Sequence, residues 1–277
     1  MFKELPKVSA VMCTYRRFKC VERAMNCFLA QDYPNKELII YNTDVENGYN
    51  ASMTYDTSSV PNFNITIVNC GIDSITKKPY TNVGAIRRDA LTHATGDYVV
   101  TWDDDDIFLP HFIRQGIDKI ETTGLPSFKP AYSFFYSGNN LRLVRNTMEA
   151  SIVADIKKVR EYGYLLETGK EGLGWYTKMR DNGELFENDD DCIPSYCFNW
   201  NDGDAMDAPH KQSGDIDNPE NFNNHKAASK DIADKALTIY SENKIKETYQ
   251  DYFDYLKEHE KDFDRNKLIE YYPSMFE

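Results

Sequence analysis

No apolar run in this 277-residue chain approaches the roughly 18 residues that would span a bilayer. The opening Met1-Phe2-Lys3-Glu4-Leu5-Pro6 has no apolar core of the kind a secretion signal carries. Paired cysteines are missing too: the six stand at 13, 20, 27, 70, 192 and 197 with no CxxC spacing. Cys20 and Cys27 fall one heptad apart on a single helical pattern, as buried free thiols do. These absences point to a soluble, reduced, cytoplasmic protein. Positive charge is in short supply, with 32 Lys and Arg against 45 Asp and Glu and a net charge of −13. That balance disfavours broad attachment to nucleic acid or an anionic membrane. Local basic clusters remain at Lys77-Lys78, Arg87-Arg88, Arg142 with Arg145, and Lys157-Lys158 with Arg160. There is no internal repeat, no low-complexity tract, no GxxxxGK[ST] phosphate loop and no GxGxxG turn.

Against those absences one segment stands out. Gly96-Asp97-Tyr98-Val99-Val100-Thr101-Trp102 is apolar and β-branched, and it runs straight into Asp103-Asp104-Asp105-Asp106. The first half suits a buried strand, whereas four adjacent carboxylates stay buried only if something neutralises them. At the carboxyl end of a parallel strand they would occupy the position where open α/β sheets bind ligands. A divalent cation relieves their repulsion and leaves coordination positions for phosphate oxygens. An EF-hand is excluded, because counting from Asp103 puts Phe108 where that loop needs glycine.

Around this segment the pattern alternates. Residues 8–14 read as a strand, and Val21, Ala24, Met25 and Phe28 mark a helix. Glu37–Tyr41 and Asn64–Val68 read as further strands, with a polar loop between them broken at Asn47-Gly48. A second helix follows Asn82 and is expected to end at Gly96. Strand, helix and strand in this rhythm make an α/β protein with parallel βαβ units. Further on, a helix is expected after Pro110, and Ala131–Tyr136 should pair with Leu141–Val144. Ile152–Tyr162 and Leu173–Met179 read as helical, 182–217 as largely irregular, and Ile232–Leu256 as helical with a Tyr249, Tyr252, Phe253, Leu256 stripe. Trp102, Trp175 and Trp200 could stack on ligand rings, and core packing explains each equally well.

The order of several short motifs resembles the family 2 glycosyltransferases. They are Cys13-Thr14-Tyr15-Arg16, Gln31-Asp32-Tyr33-Pro34, Asn82-Val83-Gly84-Ala85-Ile86-Arg87, and Ala94-Thr95-Gly96-Asp97-Tyr98 leading into the acidic run. The resemblance covers about 7–115 well and 130–214 more loosely. It implies a GT-A fold: a Rossmann-like, mostly parallel central sheet flanked by helices, here with a C-terminal helical extension. Residues 1–115 would form the nucleotide-sugar-binding half, 116–228 the acceptor-side half, and 229–277 the extension. The acidic run looks like this family's extended DxD motif. Asp103 and Asp105 would point to one side if the segment stays extended, making Asp105 the direct metal ligand with Asp103 assisting and Asp104 on the donor ribose.

The same resemblance places Thr14, Tyr15 and Arg16 at the nucleoside, Asp44 at the base (uracil, for a UDP-sugar) and Arg87 at the donor phosphates. Arg88 stands where asparagine is common. Manganese or magnesium would be the cofactor, and His210, in His210-Lys211-Gln212-Ser213-Gly214 after Asn199-Trp200-Asn201, would complete the metal shell. An inverting transfer needs a general base. The family's Glu-Asp pair is replaced here by Glu171-Gly172, so Glu171 is the expected base, with Asp189-Asp190-Asp191 as a further source. The acceptor would be a hydroxyl on a glycan, a protein or a hydroxylated nucleobase in DNA, and a homodimer through the C-terminal helix is a possible assembly. A nucleotide-sugar- or glycan-binding protein without catalysis is the competing reading, motivated by Gly172. A nucleotidyltransferase would need a glycine-rich loop after the first strand, which Thr14-Tyr15-Arg16-Arg17-Phe18 does not supply.

Overall fold

A computed structural model describes residues 5–45, 64–137, 140–187, 192 and 194–199. In chain order it contains β1 (Val8–Thr14), α1 (Phe18–Leu29), β2 (Lys36–Asn42), β3 (Asn64–Asn69), α2 (Val83–Leu91) and β4 (Tyr98–Thr101). Then follow β5 (Ile107–Phe108), α3 (Phe112–Thr123), β6 (Ser127–Phe128), β7 (Tyr132–Ser137) and β8 (Asn140–Arg145). A 3-10 turn at Glu149–Ser151 leads into β9 (Val153–Asp155), α4 (Ile156–Tyr162), α5 (Leu173–Asp181), β10 (Leu185–Phe186) and β11 (Tyr196–Asn199).

The main sheet has the order β10-β6-β9-β4-β1-β2-β3. Strands β4, β1, β2 and β3 run parallel, while β9 lies antiparallel between β4 and β6. Side-chain alternation divides these strands between two buried clusters. Val8, Ala10, Met12, Leu38, Ile40 and Val100 face α1 and α3, whereas Val11, Ile39, Tyr41 and Val99 face α2, α4 and α5. Both faces being covered explains why the strands read as continuous apolar runs. A second, four-stranded sheet has the order β5-β11-β7-β8. Because β4 belongs to the first sheet and β5 to the second, residues 102–106 cross between them.

Strands β1 to β4, the β7–β8 pair and helices α1, α2, α3 and α5 form where the sequence places them. The Asn82 side chain caps α2 by accepting from the Ala85 amide at 2.8 Å. Two expectations need correction. Gly96 does not end α2, which stops at Leu91 with Thr92 still in the right-handed helical region. A Cβ at Gly96 would lie 2.7 Å from both the Lys7 carbonyl oxygen and Ser9 Oγ. Glycine is therefore needed there so that the chain can enter β4 against β1. The segment Ile152–Tyr162 is not one helix: Val153–Asp155 forms β9, and the Asp155 carboxylate then caps α4 from Lys157 and Lys158 amides. Within the stretch after 182, expected to be largely irregular, two short strands form: β10 pairs with β6, and β11 with β5 and β7.

All six cysteines are free, four of them buried. Among the described residues no helix is long and apolar enough to cross a membrane. The expected C-terminal helix and its aromatic stripe lie outside the described residues.

Candidate active site

The acidic run forms a turn anchored by its own tryptophan. Trp102 is fully buried, stacks on Phe108 with ring centroids 3.9 Å apart, and donates from Nε1 to the Ala24 carbonyl at 2.9 Å. Gln31 holds the far side, donating to the Leu109 carbonyl at 2.7 Å and accepting from the Ile113 amide at 3.0 Å. The strand ends at Thr101 and residues 104 and 105 are in a turn, so the extended geometry expected for Asp103 and Asp105 does not occur. Asp104 and Asp105 converge instead. Arg17 Nη1 donates to Asp104 at 2.9 Å and to Asp105 at 2.8 Å. Thr14 Oγ1 donates to Asp104 at 2.7 Å, and Arg23 Nη2 to the Asp105 carbonyl at 2.8 Å. Asp106 turns inward, accepting from the Tyr196 hydroxyl and from the Asn199 amide at 3.0 Å, which ties the turn to β11.

Asp103 points to a different cation. Its carboxylate accepts from Arg87 Nη2 at 2.9 Å and keeps 28% of its side-chain surface exposed. Burial pushes the Asp103 carboxyl up to about 7; Arg87 opposes this, and the Asp105 charge adds to it. Burial likewise pushes Asp104 up to about 6, against the pull of Arg17 and with the repulsion of Asp105. Asp106 is raised as well, by burial and then by Asp105 and Asp103. The corner thus gathers more carboxyl groups than Arg17 and Arg87 can pair.

The residues expected at the nucleoside gather beside it. Thr14 ends β1 in contact with Asp104, Tyr15 is 46% exposed, and the Arg16 guanidinium lies 4.9 Å from the Tyr15 ring centroid. Arg16 Nε also reaches Asp44 at 3.2 Å, and Asp44 is fixed by Asn42, whose Oδ1 accepts its amide. Arg16 has φ of 55°, a left-handed conformation that is strained for a non-glycine residue.

Arg87 rather than Arg88 faces the acidic corner. Arg88 is bound to Asp73 at 2.8 Å and Asp89 at 2.9 Å. Arg87 is 7% exposed and gathers Asp103, Glu171 at 3.2 Å and Glu149 at 3.4 Å. Glu171 is 5% exposed, and its second oxygen is buried without a hydrogen-bond partner. Glu149 and Arg17 were not singled out from the sequence. Arg17 had one signal, an arginine directly after Thr14-Tyr15-Arg16 at a helix start. Glu149 had none, because only the fold brings it beside Gly172. Trp102 and Trp175 are core residues, 0% and 2% exposed. His210, Asp189-Asp190-Asp191 and Trp200 lie outside the described residues.

Among the described residues no three His, Cys, Asp or Glu side chains form a ready-made metal cage. The donor chemistry nevertheless fits a hard divalent ion: crowded carboxylate oxygens whose repulsion a cation relieves.

A mostly parallel sheet flanked by helices, with an acidic turn leaving its central strands, defines a GT-A-type glycosyltransferase fold. Its structural neighbours include crystal structures of S. aureus TarS 1-349. The complex with UDP-GlcNAc is 14% identical with a TM-score of 0.53, matched over 78% of this chain and 63% of that one. The complex with UDP is 12% identical with a TM-score of 0.54, over 70% and 60%. This chain therefore spans less than two thirds of the TarS fragment. No curated protein matches the chain in sequence. Residues 74–176 match the profile of "Glycosyl transferase family 2", in agreement with the sequence pattern and the fold.

Proposed function

We propose that this protein is a metal-dependent, inverting glycosyltransferase that moves a sugar from a nucleoside-diphosphate donor, most simply a UDP-sugar, to an acceptor hydroxyl. The observation that carries this reading is the crowding of Asp103, Asp104, Asp105 and Asp106, the last three buried, at the carboxyl edge of β1 and β4, beside Thr14, Tyr15, Arg16 and Asp44. Manganese or magnesium held by Asp105, with Asp103 or His210 assisting, would supply Lewis-acid stabilisation of the leaving diphosphate. Thr14 to Arg16 and Asp44 would hold the nucleoside, Asp104 the ribose, and Arg87 would add positive charge near the phosphates. The proton of the acceptor hydroxyl goes to one of the two glutamates that Arg87 holds, Glu171 or Glu149.

Residues 1–115 would bind the donor and 116–228 shape the acceptor side, with 229–277 as a helical extension available for homodimer contact. Free thiols in all six cysteine positions support a cytoplasmic location. The acceptor is a hydroxyl on a glycan, a protein or a modified DNA base. Arg88 and Lys158 are engaged with carboxylates, and Arg160 with the Leu91 and Ala94 carbonyls, which favours the first two.

Calorimetric titration of UDP with and without MnCl2 tests the reading. Binding that strengthens at least tenfold with the metal is expected, and indifference to metal counts against it. Release of UDP from UDP-sugars separates an enzyme from the competing reading, motivated by Gly172, of a donor-binding protein without catalysis.

A further inference from the structure

Gly172 sits at the start of α5 with φ −70° and ψ −22°, angles open to any residue, so no backbone requirement calls for glycine. Space does. A Cβ at 172 would lie 2.2 Å from Glu149 Cγ and 2.8 Å from both its Cδ and Oε1. A side chain at 172 and Glu149 in its present position exclude one another.

Glu149 is held in that place from below. Asn146 Nδ2 donates to Ser151 Oγ at 2.7 Å and to the Pro130 carbonyl at 2.8 Å, and its Oδ1 accepts the Met148 amide at 3.0 Å. Ala150 and Ser151 are buried under the turn, so the Glu149 backbone has a fixed origin. Its side chain reaches Arg87 and retains 24% exposure, against 7% for Glu171 on the same guanidinium. Of the two, only Glu149 combines a fixed position beside the acidic corner with appreciable solvent access.

On the glycosyltransferase reading, we infer that Glu149 is the general base and that Glu171 is a positioning residue that fixes Arg87. The Glu149 carboxylate takes the proton of the acceptor hydroxyl, whose oxygen forms a bond to the anomeric carbon. The bond from that carbon to the diphosphate oxygen breaks, and the nucleoside diphosphate leaves with the electron pair. Glu149 then returns its proton to solvent. Gly172 is the complement of this arrangement: the carboxylate comes from the 3-10 turn instead of from position 172.

The test uses the full chain, MnCl2 and a panel of UDP-sugars, with water as acceptor and UDP release as the signal. Wild-type protein that binds UDP but releases none from any donor overturns the glycosyltransferase reading, and this inference with it. With wild-type release established, Glu149→Gln is expected to lower turnover by about 10²- to 10⁴-fold, with UDP affinity changed less than twofold. The decisive variant moves the carboxylate across the contact. Glu149→Ala combined with Gly172→Asp should recover at least tenfold over Glu149→Ala alone, a gain that a merely structural role for Glu149 does not produce. Wild-type turnover in Glu149→Gln overturns the inference. So does a double variant, melting like wild type, that is no better than Glu149→Ala.

Discussion

Glu37 and Asp104 are both carboxylates buried beside β1, at opposite ends of the same parallel strands, and they differ in how many donors surround them. Glu37 lies opposite Ser9 in the ladder. It accepts from Ser9 Oγ at 2.6 Å, the Thr95 amide at 2.6 Å, Thr95 Oγ1 at 2.9 Å and Lys7 Nζ at 2.6 Å. Burial alone would raise its pKa, yet hydrogen bonds from Lys7, Ser9 and Thr95 outweigh burial and hold it below the usual range. Asp104 has Thr14 and a share of Arg17, which Asp105 also uses, and it is pushed the other way. A buried acid whose lone pairs are all satisfied belongs to the fold; one left in surplus marks a place where a cation belongs.

That contrast can be broken or sharpened by substitution. Asp105→Ala should lower UDP release on the order of 10³-fold while shifting the melting temperature by no more than about 2 °C, because Arg17 keeps Asp104. Retained turnover would erase the functional difference between the two ends. Glu37→Ala should do the reverse, with a loss of about 3 kcal/mol in urea denaturation and unchanged UDP affinity by calorimetry. The Glu37 pKa is lowered on folding, so its contribution is present above pH 4.5 and lost as pH falls below it. Glu37→Gln should accordingly flatten the acid limb of the stability curve below that pH.

A smaller effect is expected at Arg17. Replacing it with Met leaves Asp104 and Asp105 opposed, at a cost of about 2 kcal/mol, and MnCl2 should then raise the melting temperature more than it does for wild type. A melt indifferent to manganese would remove the counter-ion role from Arg17. Smallest is Gly96→Ala, where a methyl group against Lys7 and Ser9 should cost about 1–2 kcal/mol, read by chemical denaturation without change in donor binding.

The strands around the acidic run were legible because both sheet faces are covered, so their apolar continuity is a direct imprint of burial. Asn82, Gln31 and Thr14 were legible as parts of ordered motifs, though not in their hydrogen-bonding tasks. Strand β9 was not, because a three-residue apolar segment running into a helix has no period of its own; pairing with β4 and β6 made it a strand. Strands β10 and β11 depend in the same way on partners far away in sequence. Gly96 misled because a glycine required by a close neighbour looks like one required by a helix end.

Local chemistry along the chain determined the α/β class, the place of the acidic run at a strand end, and the excess of carboxylate over arginine there. Those features follow from side-chain period and charge, which need no partner to be read. Tertiary structure alone decided that Arg17 bridges Asp104 and Asp105, that Arg87 and not Arg88 turns to the site, and that Glu149 fills the room beside Gly172. Each of these joins residues from separate elements, and only the stacking of those elements sets the distances on which charge pairing and steric exclusion depend.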